Sequence, residues 1–129
     1  MNVKQQRMCS VAMRHLSGID KGIQSAHAIV DYALKYGDTP EYQRWAKKDK
    51  TLYVLEANTS DQLDEAVAEL RKAKIPVMEF REPDLGNIVT AITFLLDEPI
   101  WNTKDYPDGT KPSDLAIRRM KNKFNLATN

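Results

Sequence analysis

Four polar side chains within one stretch bring a carboxylate, an amide, an imidazole and a second carboxylate to one edge of a helix, where a pocket wall would be. Asp20, Gln24, His27 and Asp31 lie in the run from Ser17 to Gly37, SGIDKGIQSAHAIVDYALKYG. At about 100° per residue they share a helical arc roughly 60° wide. An ordinary imidazole loses its proton at about pH 6.5, so His27 can orient or deprotonate a water at neutral pH. Asp31, one turn on, can hold that ring in one tautomer. A plainer account fits the same spacing. An amphipathic helix can simply have a polar boundary, with His27 bonded to a backbone carbonyl, Gln24 bracing the turn and Lys21 in water.

The elements that must position these groups follow from periodicity. Within the same helix, Ile23, Ala26, Val30, Ala33 and Leu34 share an arc that predicts a core-facing stripe. The polar arc would then stand at the edge of the core, where a pocket wall belongs. Before it, Arg7 to Arg14 reads as a strand with Met8, Ser10 and Ala12 on one face and Cys9, Val11 and Met13 on the other. Neither face is strongly polar, which predicts a strand covered on both sides. Cys9 is expected as a small buried hydrophobe, although a histidine nearby would make it a nucleophile.

After Gly37, Thr39-Pro40-Glu41 is a helix start, with a hydroxyl N-cap, proline in the first turn and an acid beside the helix dipole. The second helix, to about Lys48, carries Arg44, Trp45, Lys47 and Lys48. These could grip a phosphate backbone, or the lysines could complement a helix C-terminus over a packed Trp45. Thr51 to Ala57 is a strand, and Thr59 to Gln62 a capping box opening a helix that buries Leu63, Ala66, Val67 and Leu70. Val77 to Arg81 and Ile88 to Leu96 are strands joined by the turn Glu82-Pro83-Asp84-Leu85-Gly86-Asn87, so they are expected to pair as a hairpin. Glu82 and Asp84 at its tip could do acid–base work, but turns favour such residues anyway. An irregular connection follows, from Asp97 to Pro112. The last helix, Ser113 to Phe124, is basic, with Arg118 and Arg119 as further candidates for an RNA backbone.

The 129 residues suit one domain spanning the whole chain, 1–129. With 42% hydrophobic and 29% charged residues the chain reads as globular rather than disordered, and a net charge of +1 leaves any nucleic-acid affinity to local patches. One cysteine excludes an internal disulfide and suits a reducing compartment. With no apolar run of membrane length and no apolar leader after MNVKQQRM, a cytoplasmic protein without membrane association is expected. Two histidines and no ligand-like spacing predict no metal, and the phosphate-cradling glycine loops are absent, so no cofactor is expected.

The order β-α-α-β-α-β-β-α predicts an α/β protein with a mixed, largely parallel four-stranded sheet flanked by helices. A strand, a short Leu-Ser-Gly linker and then Gln24-Ser25-Ala26-His27-Ala28 resembles the type II peptidyl-tRNA hydrolases, whose first helix has the form A-A-Q-x-x-H-A. The similarity runs through the strand Leu52 to Ala57, the capped helix and the Glu82–Asn87 turn, about 90 residues. The basic end, Lys121 to Leu126, is similar to the divergent peptidyl-tRNA hydrolase domain-containing branch. The resemblance implies a type II hydrolase-like fold, cleavage of the ester between peptide and tRNA, tRNA or peptidyl-tRNA as partner, and a homodimer. It implies that His27 orients or deprotonates a water, Asp31 holds the ring, Gln24 donates to the substrate carbonyl and Lys21 meets a phosphate or the developing charge, with an acid at either Glu82 or Asp84 and substrate contacts around Asp20, Asn87 and Thr90. The chain departs from the family in two places. Asp20 stands where the family's second lysine belongs, and the turn lacks the family's threonines until Thr90.

Overall fold

The computed structural model describes residues 3–97 and 124–127. The expected final helix, with Arg118 and Arg119, and almost all of the preceding connection lie outside the described residues.

β1 (Gln6–Met13) is the middle strand of a five-stranded sheet ordered β3-β4-β1-β2-β5. It pairs in parallel with β2 (Leu52–Ala57) and antiparallel with β4 (Ile88–Asp97). Its two-sided burial is what the residue alternation requires. Cys9, Val11 and Met13 join one core cluster, while Met8 and Ala12 pack on the opposite side against α1 (Gly18–Tyr36). β3 (Val77–Glu82) pairs antiparallel with β4, so the hairpin forms as expected. Two expectations need correction. The sheet has a fifth strand, the short β5 (Asn125–Leu126) on the edge of β2. It is also mainly antiparallel, because β4 returns between β3 and β1 and only β1 and β2 run together.

The helices divide between the faces. α3 (Ser60–Lys72) covers one face with Leu63, Ala66, Val67 and Leu70, as its period predicts. Thr59 accepts from the Gln62 N–H, and the Gln62 side chain accepts from the Asn58 N–H, so the turn is closed from both directions. α2 (Pro40–Arg44) runs into one π-helical turn, Trp45–Asp49, and Trp45 donates its indole N–H to the Thr51 carbonyl at 2.7 Å.

α1 lies over the other face, and here the predicted stripe is wrong. Ile23 is 47% exposed, Val30 58% and Leu34 81%, and Ile19 joins them at 78%. The buried arc is Lys21, Ser25, Ala28 and Tyr32, on the opposite side of the helix. The cause lies in the sheet beneath. There Ala12 and Ala91 meet Ala28, and Met8 and Leu95 meet Tyr32, so this surface admits a helix with small residues at its centre and one aromatic at its end. The polar arc Asp20–Gln24–His27–Asp31 lies between the buried and the exposed arcs. It is still a rim, but the rim of the other face.

Candidate active site

The β3–β4 turn brings a carboxylate to the α1 rim. Pro83–Leu85 forms a single 3₁₀ turn, closed by Gly86 (φ 73°) and Asn87 (φ 61°), both left-handed, and the Asn87 N–H returns to the Glu82 carbonyl at 3.0 Å. Glycine and asparagine are the residues that tolerate this conformation. The geometry turns Glu82 back toward the helix. Its Oε1 accepts from the Asp84 N–H at 3.3 Å, and its Oε2 accepts from Gln24 Nε2 at 3.2 Å. Of the two acids at the tip, Glu82 therefore reaches the helix, while Asp84 and Asn87 are exposed.

Gln24 is held from its other side by β4. Thr90, fully buried, donates its hydroxyl to Gln24 Oε1 at 3.0 Å. The carboxylate only accepts and the threonine here donates, so the two fix which end of the amide faces which neighbour. One Nε2 hydrogen points to Glu82 and the second is left for another acceptor. Helix, turn and strand thus meet in one directional chain, Thr90 to Gln24 to Glu82.

His27, one turn along, is exposed, and its ring stacks on Phe80 of β3 at 4.6 Å between centroids and 10° between planes. Phe80 in turn packs against Ala12, Ala28 and Ala91. Two residues on one face of β3, Phe80 and Glu82, thus fix the two neighbours His27 and Gln24. Asp31 is half-buried, and among the described residues no hydrogen bond or ion pair joins it to His27. The ring is oriented by the phenyl face rather than by that carboxylate. Phe80 was not singled out in the sequence. Its signal was the i, i+2 spacing with Glu82 on a strand leading into the turn.

Lys21 is placed elsewhere. It is 2% exposed and its Nζ lies 3.0 Å from Glu56 Oε2 on β2, with Arg14 3.8 Å from the other carboxylate oxygen. It is neither solvated nor aimed at the rim. Asp20 is exposed, and its N–H donates to the Ser17 hydroxyl at the helix start.

The basic candidates separate as well. Arg44 is engaged within the fold, donating from Nε to Asp49 at 3.0 Å and from Nη1 to the Val3 carbonyl at 2.8 Å. Lys47 and Lys48 are exposed on the π-helical turn. Cys9 is wholly buried in the core. Among the described residues no three His, Cys, Asp or Glu side chains gather to hold a metal ion, and no helix is long and apolar enough to cross a membrane.

No family model matches the chain, and no curated protein matches its sequence. Among solved structures the chain is similar to a protein of unknown function from Agrobacterium tumefaciens. The TM-score is 0.61 at 10% identity, covering 96% of this chain and 98% of the other. At that identity the likeness shows a shared α/β fold and carries no activity with it.

Proposed function

We propose that the protein is an esterase of the type II peptidyl-tRNA hydrolase kind, acting on the ester between a peptide and tRNA. The observation that supports this reading is the chain Thr90–Gln24–Glu82 beside an exposed His27. Ester hydrolysis needs a positioned water, a proton acceptor and a donor toward the carbonyl oxygen that gains charge. His27 accepts the proton. Gln24, locked by its two neighbours, offers its remaining amide hydrogen to the carbonyl oxygen. Of the basic candidates, Lys47 and Lys48 are exposed for the tRNA phosphates.

A second reading is a binding module that keeps this fold without the chemistry. One observation favours it. Lys21, the cation expected at the site, is paired with Glu56 beneath the helix instead.

Hydrolysis of purified peptidyl-tRNA by wild type, His27→Ala and Gln24→Leu decides between the two. The esterase reading expects turnover that falls roughly a hundredfold or more in His27→Ala, with tRNA binding kept. Equal, slow cleavage by all three proteins, with tRNA still bound, establishes the binding module instead.

A further inference from the structure

A cavity of about 210 Å³, away from the Gln24 and His27 rim, opens on the far part of the α1 flank. It lies at the Asp97 end of β4, whereas the Gln24 chain ends at Thr90. Along β4 Asp97 is seven residues from Thr90, about 24 Å at ~3.4 Å per residue, and along α1 Tyr32 is eight residues from Gln24, about 12 Å at ~1.5 Å per residue. The cavity is a separate place, and its chemistry is independent of the esterase reading.

The polar groups of its described lining are acceptors or neutral, and none is a cation. Glu41 and Asp97 supply carboxylates, and Gln6 and Tyr32 supply a carboxamide and a phenol. Ile75, Pro76 and Leu95 supply an apolar wall. Two of the polar side chains are almost fully enclosed and incompletely satisfied. Gln6 is 1% exposed. Its Nε2 donates to the Lys4 carbonyl at 3.0 Å and to Asp97 Oδ1 at 2.5 Å, while its Oε1 is buried with no partner. Tyr32 is 2% exposed, and its hydroxyl makes no hydrogen bond among the described residues. Burial, Tyr36 and the Glu41 carboxylate all push the Tyr32 ionisation upward, and both side chains line the same cavity.

A buried carboxamide oxygen without a partner, a phenol with no described hydrogen bond, two carboxylates without a described counter-ion and an apolar wall complement one class of ligand. We propose that this cavity binds a small organic cation, a primary ammonium on a short apolar chain. The ammonium sits between Asp97 and Glu41 and donates to the Tyr32 oxygen, and the chain lies against Ile75, Pro76 and Leu95. The volume is that of about seven water molecules at ~30 Å³ each, which admits four or five carbons and a nitrogen.

The test is a titration of the full chain with n-butylammonium chloride at low ionic strength, followed by amide chemical shifts. The matched probes are n-butanol, which has the same shape without the charge, and potassium chloride. Saturable shifts are expected at Tyr32, Ile75, Leu95 and Asp97, with n-butylammonium only and with a dissociation constant in the high micromolar to low millimolar range. Asp97→Asn weakens binding about tenfold or more, as loss of a charged hydrogen-bond partner does. Glu41→Gln weakens it several-fold. Tyr32→Phe removes only a hydroxyl with no described hydrogen bond, so it lowers affinity in a protein whose melting temperature is kept. The proposal is overturned by the absence of saturation in the millimolar range, by equal shifts with butanol or potassium, or by unchanged affinity in Tyr32→Phe and Glu41→Gln.

Discussion

Thr90 and Lys21 are both buried polar side chains, and their different partners decide what each does. Thr90 donates outward to a residue of the rim. Thr90→Val keeps the shape but leaves Gln24 Oε1 half-buried without its donor, at a cost of about 1–2 kcal/mol. Thr90→Ser restores the hydroxyl and returns most of it. Thermal unfolding of the two variants reads the difference, and equal melting temperatures would show that the hydroxyl is idle. If the Gln24 amide also serves the reaction, Thr90→Val lowers kcat beyond what the loss of stability explains. Lys21 instead faces inward. Lys21→Met leaves the Glu56 charge, 8% exposed, with a weaker set of partners, and is expected to cost on the order of 3 kcal/mol. Replacing both members, Lys21→Met with Glu56→Leu, should cost clearly less than the two single changes summed. A double-mutant cycle by denaturant unfolding measures that coupling, and strict additivity would remove the pair from the account.

At the scale of elements, α1 turns on which of two arcs meets the sheet. The buried arc runs through Lys21, Ser25, Ala28 and Tyr32, and the exposed one through Ile19, Ile23, Val30 and Leu34. Ile19→Gln and Leu34→Gln should therefore each change stability by no more than about 0.5 kcal/mol, whereas Tyr32→Ala should cost about 3–5 kcal/mol. Chemical denaturation ranks them, and a large loss from Leu34→Gln would mean that this face is covered after all. The contrast shows what the sequence could tell. Elements whose evidence is local were legible. The Thr59–Gln62 capping box, the alternation of β1 and the β3–β4 hairpin each depend on neighbours a few residues apart. The rim residues Gln24 and His27 were legible for the same reason, since their shared arc is a property of the helix alone. The buried face was not, because periodicity reveals an apolar stripe but not what lies opposite. Here the sheet offers alanines at the centre of the contact, and Lys21 reaches a carboxylate 35 residues away. Sheet order is non-local in the same way, and nothing near β4 in the chain says that it inserts beside β1.

Across the whole molecule, the interior of the sheet and its periphery are held by different means, and pH separates them. β1 is paired on both sides by backbone and flanked on both faces by apolar clusters, with the Lys21–Glu56 pair beside it at the Ala12 end. The segment that reaches β1 from outside depends on a carboxylate. Asp49, with its side chain 4% exposed, accepts from the Gln6 N–H at 2.8 Å and from Arg44 at 3.0 Å, while Arg44 also holds the Val3 carbonyl. Burial alone would raise the Asp49 carboxyl. The Gln6 N–H and the Arg44 guanidinium, aided by Lys48, outweigh that and hold it below the usual range. A carboxyl with a lowered value in the folded state binds its proton less readily there than in the unfolded chain. Its contribution is therefore complete above the unfolded value, about 3.9, and is lost as the pH falls through the lower folded value. Asp49→Asn should be less stable than wild type at neutral pH by a margin that stays constant down to about pH 5 and shrinks below about pH 4. Urea unfolding of both proteins across that range measures the margin. Hydrogen exchange on the same samples locates it. Below pH 4, amides of Val3 to Gln6 and the Trp45–Asp49 turn should lose protection before those at the centre of β1. A margin that widens on acidification, or β1 amides that open first, would place the acid-sensitive contact somewhere other than Asp49.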